Sequence, residues 1–192
     1  MKIGLLFGSF NPVHNGHVEI ANYMVTSAGL DEVWFVISPQ NPFKPAGLLA
    51  KDYHRLAMVE MAIENQKKLK ASKIEFDLPK PSYTFNTLEN LRTKFPENKF
   101  VMIMGSDLLK DFSKWKKPEE ILRHHEIFIY PRQNSNMGEF KKHAKIKFVN
   151  APLIEISSTA IRKSISEKKE VRKLVPEKVN EYITKMKFYT EE

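Results

Sequence analysis

The chain has 192 residues, of which 42% are hydrophobic and 28% are charged, as in an ordinary soluble globular protein. It contains no cysteine, which excludes disulfides, a thiolate nucleophile and a cysteine metal cage, and which fits a reducing cytoplasm. No stretch is long and apolar enough to span a membrane, and Gly8 interrupts the first apolar run before it reaches the length of a signal-peptide core. The length suits a single domain over residues 1–192.

The formal net charge of +8 is the second broad feature of the composition. A basic surplus attracts polyanions, which include both nucleotides and nucleic acids. The sequence has no RNA-binding signature in which aromatic residues alternate with basic ones. We therefore assign most of the surplus to solvated helix faces and expect neither nucleic acid nor a membrane as a partner.

A strand, a loop and a helix are predicted at the start of the chain. Residues 3–7 form an apolar run typical of a buried strand, and apolar residues recur at helical spacing from Val18 onward. Between them lies the segment Gly8-Ser9-Phe10-Asn11-Pro12-Val13-His14-Asn15-Gly16-His17. Asn15 is the predicted N-cap, which places His17 in the first helical turn.

This loop has the chemistry of a phosphate site. Unpaired backbone N–H groups and the positive end of the helix dipole face it, and the imidazoles of His14 and His17 stand beside it. A phosphate site is therefore the preferred interpretation. An ordinary turn with surface histidines is one alternative. A zinc site is another, and it is disfavoured because no third ligand stands nearby.

Strands and helices alternate along the middle of the chain. Residues 32–38 are a predicted strand, 53–65 a helix, 73–77 a strand and 98–104 a further buried strand. Before the last of these strands, Ser82 or Thr84 is expected to cap a helix. Lys44 lies in a loop with three prolines and is, from the residues alone, most simply a solvated lysine.

Two features in the second half of the chain indicate ligand contacts. Trp115 lies among lysines, where an exposed indole suits stacking on a flat ring, although packing on a neighbouring loop is an alternative. Residues 157–159 are three hydroxyl side chains in a row, and Arg162 follows one helical turn later. Hydroxyls and a forked guanidinium together favour a clamp for a triphosphate, whereas simple helix capping would need only one hydroxyl.

The predicted fold is α/β, with a single-domain Rossmann-like parallel sheet flanked by helices on both faces. The alternation of strands and helices argues for βαβ units. Ligands of such sheets bind beyond the carboxyl ends of the strands. Gly8, Lys44, Thr84 and Asp107 each lie just past a predicted strand, and we expect them to gather at one edge of the sheet.

The two end motifs also carry a family resemblance. His14-Asn15-Gly16-His17 resembles the HxGH signature of the nucleotidyltransferase superfamily, and Ile156-Ser157-Ser158-Thr159-Ala160-Ile161-Arg162 resembles its ISSTxIR partner motif. With Gly105-Ser106-Asp107 and Trp115 between them, the full length resembles the bacterial nicotinate-nucleotide adenylyltransferase family. The resemblance implies transfer of AMP from ATP to nicotinate mononucleotide in NAD biosynthesis, with Mg²⁺ carried by the ATP.

The same resemblance implies a set of site residues. Catalytic roles fall on His14, His17 and Arg162. Contacts to ATP fall on Gly8, Ser9, Phe10, His14, His17, Gly105, Asp107, Ser157, Ser158 and Arg162. Contacts to nicotinate mononucleotide fall on Asn11, Lys44, Thr84, Trp115, Lys116 and Arg132. No metal site of the protein itself is expected, the location is expected to be cytoplasmic, and a homo-oligomer stays open.

Three other functions remain as alternatives. One is a different adenylyl- or cytidylyltransferase of the same fold, such as the phosphopantetheine enzyme, whose chains lack the features at Tyr83, Thr84 and Trp115. Another is a relative that prefers nicotinamide mononucleotide. The third is a nucleotide- or RNA-binding module without catalysis, against which the intact His14, His17 and Arg162 argue.

Overall fold

A computed structural model describes residues 1–40, 49–133 and 139–190 of the chain. Its centre is a six-stranded sheet in the order β3-β2-β1-β4-β5-β6, and every neighbouring pair of strands is parallel. The strands are β1 (Lys2–Gly8), β2 (Glu32–Ile37), β3 (Leu69–Ser72), β4 (Lys99–Gly105), β5 (Glu126–Tyr130) and β6 (Ile146–Phe148). This order confirms the predicted Rossmann-like parallel sheet.

Helices cover both faces of the sheet. In the described residues they are α1 (Asn15–Thr26), α2 (Asp52–Ile63), α3 (Thr84–Lys94), α4 (Ser106–Leu109), α5 (Pro118–His124), α6 (Ser158–Ser166) and α7 (Glu177–Met186). One apolar cluster joins α1, α2, α6 and α7 to the first face, and the other joins α3, α4 and α5 to the second. The central strands are buried on both sides, which explains why they read as continuous apolar runs.

The prediction of a strand at residues 73–77 is wrong. The strand is Leu69–Ser72, which pairs in register with β2, and the next residues form turns closed by hydrogen bonds from Phe76 N to Lys73 O and from Leu78 N to Glu75 O. The lysine-rich composition is compatible with the strand because Lys70 forms an ion pair with Glu32 at 2.8 Å on the sheet edge. Glu75, which lay within the predicted strand, is therefore in one of these turns.

Two predicted helix caps also differ from the structure. The N-cap of α1 is His14 and not Asn15, so His17 is still in the first turn. The N-cap of α3 is Tyr83, which lies between the two predicted residues and has no side-chain capping bond. Of the three hydroxyl residues at 157–159, Ser157 caps α6, because its hydroxyl accepts a hydrogen bond from Ala160 N at 3.2 Å.

The parallel order places the ends of β1 and β4 side by side at the point where the strand order reverses. Crevices at such switch points bind ligands in open α/β sheets. Gly8 ends β1 and Gly105 ends β4, so the loops that follow them meet at the carboxyl edge of the sheet. No described helix is long and apolar enough to cross a membrane.

Candidate active site

The loop between β1 and α1 is tightly packed. A Cβ atom at Gly8 would lie 2.8 Å from the ring of Phe10, so glycine is required for this close approach. Phe10 has a φ of 45° and is buried, with its ring against those of His17 and Phe35. This packing makes the loop a rigid support for the histidines that follow it.

His14 and His17 stack on each other at the start of α1. Their ring centroids are 3.6 Å apart with planes inclined by 23°. The Nδ1 atom of His17 accepts a hydrogen bond from the backbone N–H of His14 at 3.2 Å. In a neutral imidazole the proton then lies on Nε2, so His17 presents an N–H donor on its far side.

His14 is held in its neutral form. Its side chain is 4% exposed, and burial, followed by the charge of Arg132, lowers the pKa of His14 from 6.5 to about 4. A neutral His14 is consistent with its stacking on His17, since two imidazolium rings at that distance would repel each other. At neutral pH it therefore serves as a hydrogen-bonding group and not as a cation.

Arg132 lies beside the histidine pair. It shares a small cavity of about 40 Å³ with His14, His17 and Tyr130. Its guanidinium donates to Ile154 O at 2.6 Å, and its backbone N–H donates to the hydroxyl of Ser106 at 2.8 Å. Although the resemblance assigns Arg132 to nicotinate mononucleotide, the structure places it with the histidines and outside the lining of the larger pocket described below.

The late motif binds the early loop directly. The hydroxyl of Ser158 donates to Pro12 O at 2.9 Å, and Arg162 donates from a terminal nitrogen to Asn11 O at 2.8 Å. Arg162 also lies 3.4 Å from the hydroxyl of Thr159. These contacts bring together segments that are about three-quarters of the chain apart.

The side chain of Asn11 links the first loop to two distant segments of the chain. Its side-chain oxygen accepts from Tyr189 OH at 2.7 Å and from Ala50 N at 3.1 Å, and the side chain is buried. The predicted contact of Asn11 with nicotinate mononucleotide is untested by these contacts.

A second, larger pocket is lined in part by Gly8 and Ser9. It has a volume of about 470 Å³, and its walls include Thr84, Trp115 and Lys116. The hydroxyl of Ser9 is buried there without a hydrogen-bond partner among the described residues. The pocket therefore brings three of the residues predicted to contact the mononucleotide to one place.

Trp115 is not the exposed indole that the sequence indicated. It is half-buried, and its ring lies 5.4 Å from that of Phe112. The polar neighbours of Trp115 hid this contact because Phe112 approaches from a 3-10 turn, Phe112–Lys114, in the same loop. The indole still lines the pocket, so a flat ring has access to it.

The start of α3 supplies donors to the same pocket. The amides of Thr84 and Phe85 have no acceptor within the helix because they stand in its first turn. Lys116 holds this turn by donating to the side chain of Asn86 at 3.2 Å, with its ammonium 4.9 Å from the ring centre of Tyr83. Positive charge and free N–H groups thus meet at one wall, which suits an anionic group.

Asp107 and Lys44 are two further predicted site residues. Asp107 is exposed at the start of α4, next to Gly105 at the carboxyl end of β4. Its position is open to a ribose, but no contact in the structure tests that role. Lys44 lies outside the described residues. Within the described ranges no cluster of three or more histidine or carboxylate side chains is arranged to hold a metal ion.

Sequence reasoning missed three polar residues around the site: the buried Arg55 and Glu75 and the half-buried Tyr189. Arg55 had a detectable signal, because it occupies the same face of α2 as the buried Met58, Val59 and Ile63. The burial of Glu75 was missed because residues 73–77 were predicted to be a strand. Tyr189 lies in the C-terminal segment and has no local pattern that points to Asn11.

Comparisons with known proteins agree with this geometry. Residues 5–164 match the family model described as cytidylyltransferase-like. A protein of Christiangramia forsetii named probable nicotinate-nucleotide adenylyltransferase is 54% identical over 98% of both chains. A protein of Flavobacterium psychrophilum with the same name is 50% identical over 98% of this chain and 99% of its own. The chain belongs to the nicotinate-nucleotide adenylyltransferase family.

The solved structures extend the likeness to the fold. Nicotinic acid mononucleotide adenylyltransferase of Plasmodium falciparum, complexed with NaAD, superimposes with a TM-score of 0.84 over 98% of this chain and 97% of its own. The sequence identity of this family member is 24%, so the likeness concerns the architecture.

Proposed function

We propose that this protein transfers AMP from ATP to nicotinate mononucleotide and releases pyrophosphate. The observation that carries the proposal is the direct contact of the two motifs: Ser158 and Arg162 hold the loop that leads into the stacked His14 and His17. The phosphate-binding elements and the larger pocket then share the residues Gly8 and Ser9. Two substrates can therefore meet above the end of β1.

The reaction needs no protein nucleophile. The phosphate of the mononucleotide is already an anion at neutral pH, and one of its oxygens attacks the α-phosphorus of ATP. A new P–O bond forms there while the bond to the β-phosphate oxygen breaks, and its electrons leave with pyrophosphate. The barrier lies in bringing two anions together and in the charge that develops on the leaving group, so positioning and charge stabilisation supply the catalysis.

The histidines are proposed to stabilise the reacting phosphate. His17 offers its Nε2–H because Nδ1 is already engaged by the His14 backbone. His14 remains neutral, so both rings can act as donors close to one phosphate without mutual repulsion. Arg132 adds a positive charge next to the same cavity, which favours the transferred group there.

The other end of ATP is assigned to the start of α6 and to Arg162. In the proposed complex Arg162 gives up or shares its hydrogen bond to Asn11 O and donates to two phosphate oxygens at once. Ser157 and Ser158 lie at the start of α6, which faces the same phosphates. Mg²⁺ would arrive bound to the triphosphate, as part of the substrate. Gly105 and Asp107 would face the adenosine ribose, in line with the family resemblance.

The pyridine ring is assigned to the larger pocket. Trp115 provides a flat apolar surface, and the free amides at Thr84 and the ammonium of Lys116 provide donors for a ring carboxylate. A carboxylate accepts all of these bonds. A neutral amide would turn its own NH₂ towards at least one of them.

The test is an assay of product and pyrophosphate formation from ATP with four acceptors: nicotinate mononucleotide, nicotinamide mononucleotide, phosphopantetheine and none. We expect nicotinate adenine dinucleotide as product, with kcat/KM at least about tenfold higher for the acid than for the amide, since one unpaired buried group costs about that much. Turnover with phosphopantetheine alone would assign another transferase of the same fold. Tight ATP binding without turnover on any acceptor would favour a binding module.

A further inference from the structure

The larger pocket contains a buried acid that the reaction outlined above does not use. Glu75 is 1% exposed and lies in the turn that follows β3, with Ser38, Ser82 and Thr84 in the same cavity wall. Carboxylates are rarely buried to this extent without a basic partner. Glu75 lines the pocket proposed to bind the pyridine ring, so a contact of this acid with the ring substituent is the function to consider.

The two oxygens of Glu75 have different surroundings. Oε1 accepts a hydrogen bond from the hydroxyl of Thr87 at 2.7 Å, and Thr87 lies in the first turn of α3. Oε2 is buried and has no hydrogen-bond partner among the described residues. The carboxyl group is therefore fixed at one oxygen and leaves the other available to a ligand.

No described basic side chain neutralises this acid. Burial raises the pKa of Glu75 above its usual 4.5, and the hydrogen bond from the Thr87 hydroxyl opposes the rise only in part. The other charged residues that line the cavity make their contacts elsewhere than at Glu75: Asp111 and Lys114 pair at 2.6 Å, and Lys116 donates to the side chain of Asn86. Tyr83 is the remaining titratable group of this wall.

We propose that Glu75 is a specificity-determining residue of the pyridine pocket, whose protonated Oε2 donates a hydrogen bond to the ring carboxylate of nicotinate mononucleotide. This inference rests on the proposed function. It extends the recognition beyond the amides of α3, because Glu75 is attached to the same helix turn through Thr87.

The protonation state of Glu75 decides which substituent fits. A neutral acid donates to a carboxylate, whereas an ionised one repels it and accepts a hydrogen bond from the NH₂ of an amide. The preference for the acid substrate should consequently fall as pH rises through the pKa of Glu75. The mononucleotide phosphate is common to both substrates, so its titration cancels in the ratio of their kcat/KM values.

The first experiment measures the ratio of kcat/KM for the acid over the amide from pH 5 to 9.5. For the wild type we expect the ratio to fall by about tenfold across the titration of Glu75, which corresponds to the loss of one hydrogen bond made to a charged group. Glu75→Gln keeps the shape and a permanent N–H donor, so its ratio should stay flat. Asp111→Asn, which removes an exposed carboxylate from the same cavity, is the matched control and should retain the wild-type slope.

The second experiment does not depend on turnover. The ¹³C carboxyl resonance of Glu75, assigned by its loss in Glu75→Gln, is titrated in the free protein and with each mononucleotide at saturation. By linkage, nicotinate mononucleotide should move the midpoint to higher pH and the amide should move it lower. Direct calorimetric binding of the two mononucleotides should show the same pH dependence.

The outcomes separate the two proposals. If the two mononucleotides shift the titration midpoint of Glu75 in opposite directions but the protein transfers no AMP, the role of Glu75 is retained and the proposed reaction is overturned. AMP transfer with an acid-to-amide ratio that does not change with pH, together with equal midpoints in all three titrations, would overturn the role of Glu75 and leave the reaction intact. A Glu75 carboxyl that is already ionised at pH 7 with nicotinate mononucleotide bound would also overturn it.

Discussion

At the residue scale, the two histidines of α1 differ in how they are held. His17 has Nδ1 committed to the His14 backbone, and its ring packs edge-on against Phe10 at 5.1 Å. His14 is buried, and its ring lies against that of His17. One histidine is therefore oriented by a hydrogen bond, and the other by packing and by the exclusion of water.

His17→Ala should abolish most of the AMP transfer while the fold persists. Removal of one preorganised donor to developing charge typically lowers the rate by about 100- to 1,000-fold. The measurement is kcat with nicotinate mononucleotide, with circular dichroism to verify folding. His124→Ala is the control, because His124 lies on the surface near Glu120. A His17 variant with wild-type kcat would remove this residue from the mechanism.

The depressed pKa of His14 predicts a loss of stability in acid. Between pH 6.5 and about 4 the unfolded chain binds a proton at this position and the folded chain does not, so the free energy of unfolding falls as pH decreases. The full difference is at most about 3 kcal/mol. Urea unfolding of the wild type and of His14→Gln across this range should give a shallower pH dependence for the variant. Buried His125, whose pKa is also lowered, contributes equally to both proteins.

At the element scale, Arg55 joins the strand ends that form the site. It is fully buried in α2, and its guanidinium donates to the carbonyls of Ser9, Ser38, Pro39 and Ala50. It also pairs with Asp52 at 2.6 Å. The exits of β1 and β2 are thereby held together at the floor of the pocket, and a planar fork of five donors is needed to do so.

Arg55→Lys should destabilise the protein although the charge is kept. Lysine has three donors on one atom and cannot reach the same set of carbonyls, and leaving buried groups unpaired costs about 3 kcal/mol or more. The measurement is the free energy of unfolding in urea. Arg92→Lys, at an exposed pair with Glu89, is the matched control and should change stability by less than about 1 kcal/mol. Equal effects of the two substitutions would contradict the role given to Arg55.

At the scale of the whole molecule, the last described residues complete the first loop. Tyr189 donates to the side chain of Asn11, whose carbonyl in turn accepts from Arg162. Phe188 packs on His54 and Tyr182, so α2, α7 and the C-terminal segment form one support for the site. Burial raises the pKa of Tyr189, and its hydroxyl stays a donor throughout the physiological range.

Tyr189→Phe should weaken this long-range connection. Because the buried side-chain oxygen of Asn11 loses the donor supplied by Tyr189, we expect a loss of about 1 kcal/mol in the free energy of unfolding and a higher KM for ATP. The control is Tyr53→Phe, since the side chain of Tyr53 is mostly exposed. If both variants unfold at the same urea concentration as the wild type, the hydroxyl of Tyr189 does not stabilise the loop.

The order and type of most elements, and the two motifs, were determined by the sequence itself. Buried parallel strands must be apolar on both faces, and a phosphate loop requires glycine and short polar side chains at fixed spacing, so both leave local patterns. The strand run at 3–7, a helix start among the hydroxyls at 157–159 and the position of His14 and His17 at the start of α1 could be predicted for this reason.

The tertiary structure alone decided which buried polar groups meet. Arg55, Glu75 and Tyr189 bond to groups as far as 46, 12 and 178 residues away, respectively, and no local pattern identifies those partners. The same holds for Trp115, whose lysine neighbours indicated exposure while Phe112 covers part of its ring. Burial of a polar group is favourable only when distant segments satisfy its hydrogen bonds, and that condition is met by the folded chain as a whole.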